Sequence, residues 1–147
     1  MKMKKAYTLI EFTIVLSIIL VLIFPVFNVA KAYNEALLRV KAKGTMNDLS
    51  SLISYSKYYC RYYNVNGLIE VDKEYGKVVF KNLSSKGTIV KTIFIEDGVR
   101  LVADSSLSIT KTGKVQSDTI RLIDSDGKLY KLTISTGIDT VNIYEGD

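Results

Sequence analysis

The chain has 147 residues, room for one modest core, and 20 Lys+Arg against 15 Asp+Glu give it a formal charge of +5. It contains no histidine and one cysteine, Cys60, which excludes histidine-based general-base catalysis, imidazole metal ligation and any disulfide within the chain. Three of the positive charges are Lys2, Lys4 and Lys5; beyond Ala6, 17 Lys+Arg face 15 Asp+Glu, so overall charge carries no argument for nucleic acid.

Met1 to Ala6 is short and basic. An apolar segment follows and runs to Ala30, with a single carboxylate, Glu11, near its start. From Leu9 to Ala30 a helix would rise roughly 33 Å, enough to cross a bilayer. Two ordinary readings fit that length. One is a plain single-span anchor; the other is a secretory signal cut after Val29-Ala30-Lys31-Ala32. Neither has a use for Glu11, because an ionisable group in hydrocarbon costs on the order of a few kcal/mol and is usually kept for function.

The stretch Met1-Lys2-Met3-Lys4-Lys5-Ala6-Tyr7-Thr8-Leu9-Ile10-Glu11-Phe12 resembles the class III signal of the type IV pilin family. The resemblance implies a leader, residues 1–6, removed by prepilin peptidase between Ala6 and Tyr7. It implies N-methylation of Tyr7, and a role for Glu11 in assembly with other pilin or pseudopilin subunits and with pilus assembly membrane proteins. The family mostly has glycine before the cut; alanine is the next smallest side chain, so cleavage is expected to survive. Lys31, Arg39, Lys41 and Lys43 follow the span, so the charge bias gives no clean orientation. An outward C-terminal part, at the cytoplasmic membrane and then in a surface filament or pseudopilus, rests on the resemblance. Many pilins of Gram-negative bacteria close a C-terminal loop with a disulfide, which this chain lacks the cysteines to form.

Helical spacing continues past the span. Val29, Tyr33, Leu37, Val40, Leu49, Leu52, Ile53, Cys60 and Tyr63 recur mostly at steps of three and four, with charged residues between them. Pro25 is expected to kink the helix and Gly44 to weaken it by about 1 kcal/mol, neither ending it. Asn64-Val65-Asn66-Gly67 supplies a stop, so one helix of roughly 85 Å is expected from Tyr7 to Tyr63. Cys60 reads as a small buried apolar residue, with pairing between chains as the alternative.

From Leu68 the period changes to two. Strands are expected at 77–83, 88–96, 99–103, 106–110, 119–123, 129–135 and 139–144, separated by Tyr75-Gly76, Asp97-Gly98, Thr112-Gly113, Asp126-Gly127 and Thr136-Gly137. Asp126-Gly127 is the strongest hairpin signal, and Tyr130, Leu132 and Ile134 should share one face. The expected fold is α+β: a long N-terminal helix, transmembrane over about 9–30 and then amphipathic, packed against one C-terminal antiparallel sheet. The division is 1–6 leader, 7–64 helix and 65–147 β-domain. Gly113, Thr119-Ile120-Arg121-Leu122, Gly127, Tyr130 to Ser135 and Gly137 resemble the sheet of H-type minor pseudopilins, in a spacing that antiparallel strands in general share.

Three clusters bear on chemistry. Tyr55, Tyr58, Tyr59, Tyr62 and Tyr63 are interleaved with Lys57 and Arg61; Tyr55, Tyr59, Tyr62 and Tyr63 share a helical face and read as a seam packed on the sheet, with base stacking on nucleic acid as the alternative. Asp124-Ser125-Asp126-Gly127 is similar to the start of a calcium loop but has Ser135 where the bidentate glutamate belongs, so it reads as a turn. Ser84-Ser85-Lys86-Gly87 reads as a loop. The expectation is a non-enzymatic structural subunit, a minor pilin or pseudopilin, needing no cofactor or metal. The alternatives are a competence pseudopilin involved in DNA uptake and a non-polymerising anchored β-domain that binds a surface ligand.

Overall fold

A computed structural model describes residues 8–85, 87–135 and 141–145. Ala6 and Tyr7, the expected cleavage pair, lie outside them, as do Lys86 and the expected Thr136-Gly137 turn. The chain divides into two compact units, Met1–Leu37 and Leu38–Asp147. Helix α1 spans Leu9–Tyr63 and is continuous through Pro25 and Gly44. It ends where Asn64 takes the left-handed conformation, φ 53°, and Val65 N–H donates to the Cys60 carbonyl at 3.0 Å. That six-to-one bond satisfies a carbonyl the last turn would leave open.

Eight strands follow: β1 (Gly67–Asp72), β2 (Lys77–Asn82), β3 (Thr88–Phe94), β4 (Val99–Leu101), β5 (Ser105–Ile109), β6 (Asp118–Asp124), β7 (Leu129–Ile134) and β8 (Val141–Glu145). A single turn of 3-10 helix, Leu83–Ser85, separates β2 from β3, where a loop is expected. The strands form two antiparallel four-stranded sheets rather than one, ordered β3-β2-β1-β5 and β4-β6-β7-β8. β1 is absent from the expected set although it alternates cleanly: Gly67, Ile69 and Val71 point inward, while Leu68, Glu70 and Asp72 are half-buried. It is one of the two inner strands of the first sheet, pairing with β2 and β5.

The described turns fall where expected, and those at Gly76 and Gly127 close hairpins, β1–β2 and β6–β7, whereas Gly98 lies between strands of different sheets. Gly76, Gly98, Gly113 and Gly127 all have positive φ, the conformation that makes glycine useful in a tight reversal. Tyr130, Leu132 and Ile134 do share one buried face.

Within Leu38–Asp147 a single core joins α1 to both sheets. Ala42, Met46, Leu49, Leu52, Ile53 and Cys60 line the buried side of α1. Ile69, Val78, Phe80 and Leu107 come from the first sheet, and Leu101, Leu122, Tyr130 and Leu132 from the second. The expected apolar stripe on α1 therefore divides. Leu49, Leu52, Ile53 and Cys60 are buried, whereas Val29, Tyr33, Leu37, Val40 and Tyr63 are exposed.

Candidate assembly site and surfaces of the β-domain

Thr8 and Glu11 build the start of α1 together. Thr8 Oγ1 accepts from Glu11 N–H at 3.3 Å, and Glu11 Oε2 accepts from Thr8 N–H at 2.9 Å and from the Thr8 hydroxyl at 3.2 Å. This is a reciprocal capping box, which satisfies two of the backbone donors that every helix start leaves open. A negative group at that end also complements the helix dipole. Sequence reading singled out Glu11 and passed over Thr8. The signal was there: Thr-x-x-Glu directly before an apolar run.

Beyond this cap, every described side chain from Leu9 to Ile23 is exposed, among them Ile10, Phe12 and Leu22. The polar groups interspersed there are turned back onto the helix. Thr13 Oγ1 donates to the Ile10 carbonyl at 2.9 Å and Ser17 Oγ to the Thr13 carbonyl at 2.8 Å. Among the described residues α1 is the one helix long and apolar enough to cross a membrane, with a mean hydropathy of 2.7 over its most apolar window. An exposed apolar surface of that extent is of the kind that lipid or other apolar helices cover.

Near the end of α1, Cys60 is fully buried, and burial pushes its thiol above the ordinary range. That environment suits the small-apolar reading and disfavours the thiolate that pairing would require. The β6–β7 turn is organised by Asp124. Its Oδ1 accepts from the Asp126 and Lys128 N–H groups at 3.1 and 2.8 Å, and its Oδ2 accepts from the Tyr130 hydroxyl at 3.1 Å. Asp124 thus acts as a turn anchor, with both carboxylate oxygens engaged inside the hairpin.

The tyrosines depart from the expected packed seam. Tyr59 is the one of the five that is half-buried against the core, meeting Phe80 edge-on at 5.5 Å between ring centres. Tyr55 touches Phe80 at 6.4 Å but remains 40% exposed. Tyr58, Tyr62 and Tyr63 are 64%, 67% and 58% exposed. Two rows at four-residue steps explain the split. The row Tyr55–Tyr59–Tyr63 borders the buried face, and the row Tyr58–Tyr62 lies outside it.

Neither any protein-family model nor any curated protein sequence matches the chain. Two solved structures of the minor pseudopilin EpsH from the type II secretion system of Vibrio cholerae do, at 12% sequence identity. One aligns over 71% of this chain and 97% of EpsH with a TM-score of 0.58, the other over 73% and 96% with a TM-score of 0.59. The chain shares the α+β, pilin-like fold of these structures.

That fold accounts for a long N-terminal helix carrying antiparallel strands, as periodicity led us to expect, though in two sheets where one was expected. The tyrosine rows and the Asp124 anchor are particular residues of this chain and are described by their own contacts.

Proposed function

We propose that this chain is a minor pilin or pseudopilin, a structural subunit rather than an enzyme. It is inserted in the cytoplasmic membrane by α1, cut by prepilin peptidase between Ala6 and Tyr7, methylated on Tyr7 and assembled into a surface filament or pseudopilus. Residues 7–64 form the shaft and 65–147 the outward β-domain. The observation that carries this reading is Glu11: one carboxylate, held at the tip of an uncovered apolar helix, in a chain with the pilin-like fold. In assembly its charge pairs with the N-terminal amine of a neighbouring subunit. Opposite charges in a low dielectric favour one axial register between helices and partly offset the burial cost.

Intact-mass analysis of protein from the native membrane tests the processing. Residues 1–6 should be missing and one methyl group present on Tyr7. A chain beginning at Met1, or after Ala32, overturns the reading. The exposed tyrosines favour a second reading, a competence pseudopilin, in which the same subunit also contacts DNA.

A further inference from the structure

The C-terminal end of α1 concentrates exposed rings and cations, Tyr58, Tyr62, Tyr63 and Arg61 within six residues. Tyr58 and Tyr62 stack on each other, ring centres 5.8 Å apart and planes 20° apart. Tyr63 meets Tyr62 edge-on at 4.9 Å, so the ring surface is continuous. Arg61 is exposed in the same helical turn, and its Nε donates to the Thr112 carbonyl at 3.4 Å. Lys111 and Lys114 are exposed on that loop, which Asn66 ties to the helix end by accepting from Lys111 N–H at 3.0 Å. Lys91 lies over the Tyr55 ring at 5.1 Å. The sequence contributes no Asp or Glu between Asp48 and Glu70, nor between Asp104 and Asp118. The protein is near neutral beyond its first six residues, yet these two adjoining segments are basic.

We propose that this surface, the Tyr58–Tyr62–Tyr63 rings with Arg61 and the Thr110–Lys114 loop, binds single-stranded nucleic acid. An apolar protein partner would cover the rings but strip water from Arg61, Lys111 and Lys114 without supplying counter-charge, which is costly. A nucleic acid strand supplies both complements. Its bases offer π-faces to the rings, and its phosphates neutralise the cations. Duplex DNA does not, because its bases are already stacked on each other and out of reach of the tyrosines. Arg61 stands in the last turn of α1, where it also opposes the negative end of the helix dipole that would repel phosphate. The inference stands on these contacts and does not depend on filament assembly.

Fluorescence anisotropy of a labelled 30-mer of oligodeoxythymidylate, with the full chain in non-ionic detergent, tests it. Titrations at several NaCl concentrations should show binding that weakens steeply with salt. Tyr58→Ala and Tyr62→Ala remove exposed rings and leave the core intact. Each should weaken binding roughly five- to 150-fold, the range for loss of one stacked base. Arg61→Gln and Lys111→Gln should each reduce the slope of log K against log salt by about 0.7. Inorganic polyphosphate should bind more weakly than the oligonucleotide and ignore the tyrosine substitutions. No binding at low salt, binding indifferent to Tyr58 and Tyr62, or polyphosphate equal to the oligonucleotide each overturns the proposal. So does a tyrosine substitution that changes only self-association in sedimentation.

Discussion

Gly67 opens β1, and a Cβ placed on it would lie 2.6 Å from Phe80 Cε2 and 2.7 Å from Cys60 Sγ. Its φ is not positive, so the requirement is for space and not for backbone freedom. Gly67→Ala should therefore lower stability by about 1–3 kcal/mol through overpacking, seen as a drop in thermal midpoint. An unchanged midpoint would show that Cys60 and Phe80 move aside at no cost. Cys60 itself carries a pH signature. Burial raises its pKa in the fold, so the folded state holds the thiol proton more tightly than the unfolded chain does. Its contribution to stability is fully present below the unfolded thiol value of about 8.5 and is lost as pH rises through the folded value. Native protein should react slowly with iodoacetamide at mildly alkaline pH and quickly in denaturant. Native reactivity equal to that of free cysteine would refute the buried, unpaired state.

At the scale of the element, Thr8 and Glu11 raise the question of whether the carboxylate serves the helix or the assembly. Two substitutions separate the roles. Glu11→Gln keeps an acceptor for Thr8 N–H and removes the charge; Thr8→Val removes the cap hydroxyl and keeps the charge. Thr8→Val should destabilise the first turn of α1 by about 1 kcal/mol yet still enter filaments. If the proposed assembly role holds, Glu11→Gln should retain the first turn and fail to co-purify with pilin or pseudopilin subunits. The opposite pattern would assign Glu11 to capping alone. The cap is legible in the sequence as Thr-x-x-Glu, and so are the helix stop at Asn64 and the glycine turns, because each depends on residues within a few positions. The start of the first sheet is less so. β1 alternates as well as any strand, but it follows so closely on the helix stop that Asn64 to Gly67 and the strand opening share residues.

For the unit Leu38–Asp147 as a whole, one core serves α1 and both sheets, so a loss at its centre is felt throughout. Leu52 is fully buried on α1 within that core. Leu52→Ala should cost about 2–5 kcal/mol, a large share of the 5–15 kcal/mol typical of a domain. The check is the denaturant midpoint: it should fall with an unchanged m-value and a single transition for all probes. Separate transitions for the two sheets would mean that α1 does not couple them.

Sequence by itself determined the long helix, its stop, the alternation of most strands and the inward face of Tyr130, Leu132 and Ile134. Each follows from local periodicity or from the backbone conformation that glycine and asparagine allow. Only the tertiary structure decided that the strands form two sheets, that β1 is an inner strand and β3 an edge, and which tyrosines are covered. Strand pairing joins residues far apart in sequence, such as Gly67 with Ile109, so no local pattern specifies it. Coverage has the same origin: periodicity assigns Tyr58 and Tyr62 to a helical face, but whether a sheet lies over that face depends on where distant strands dock.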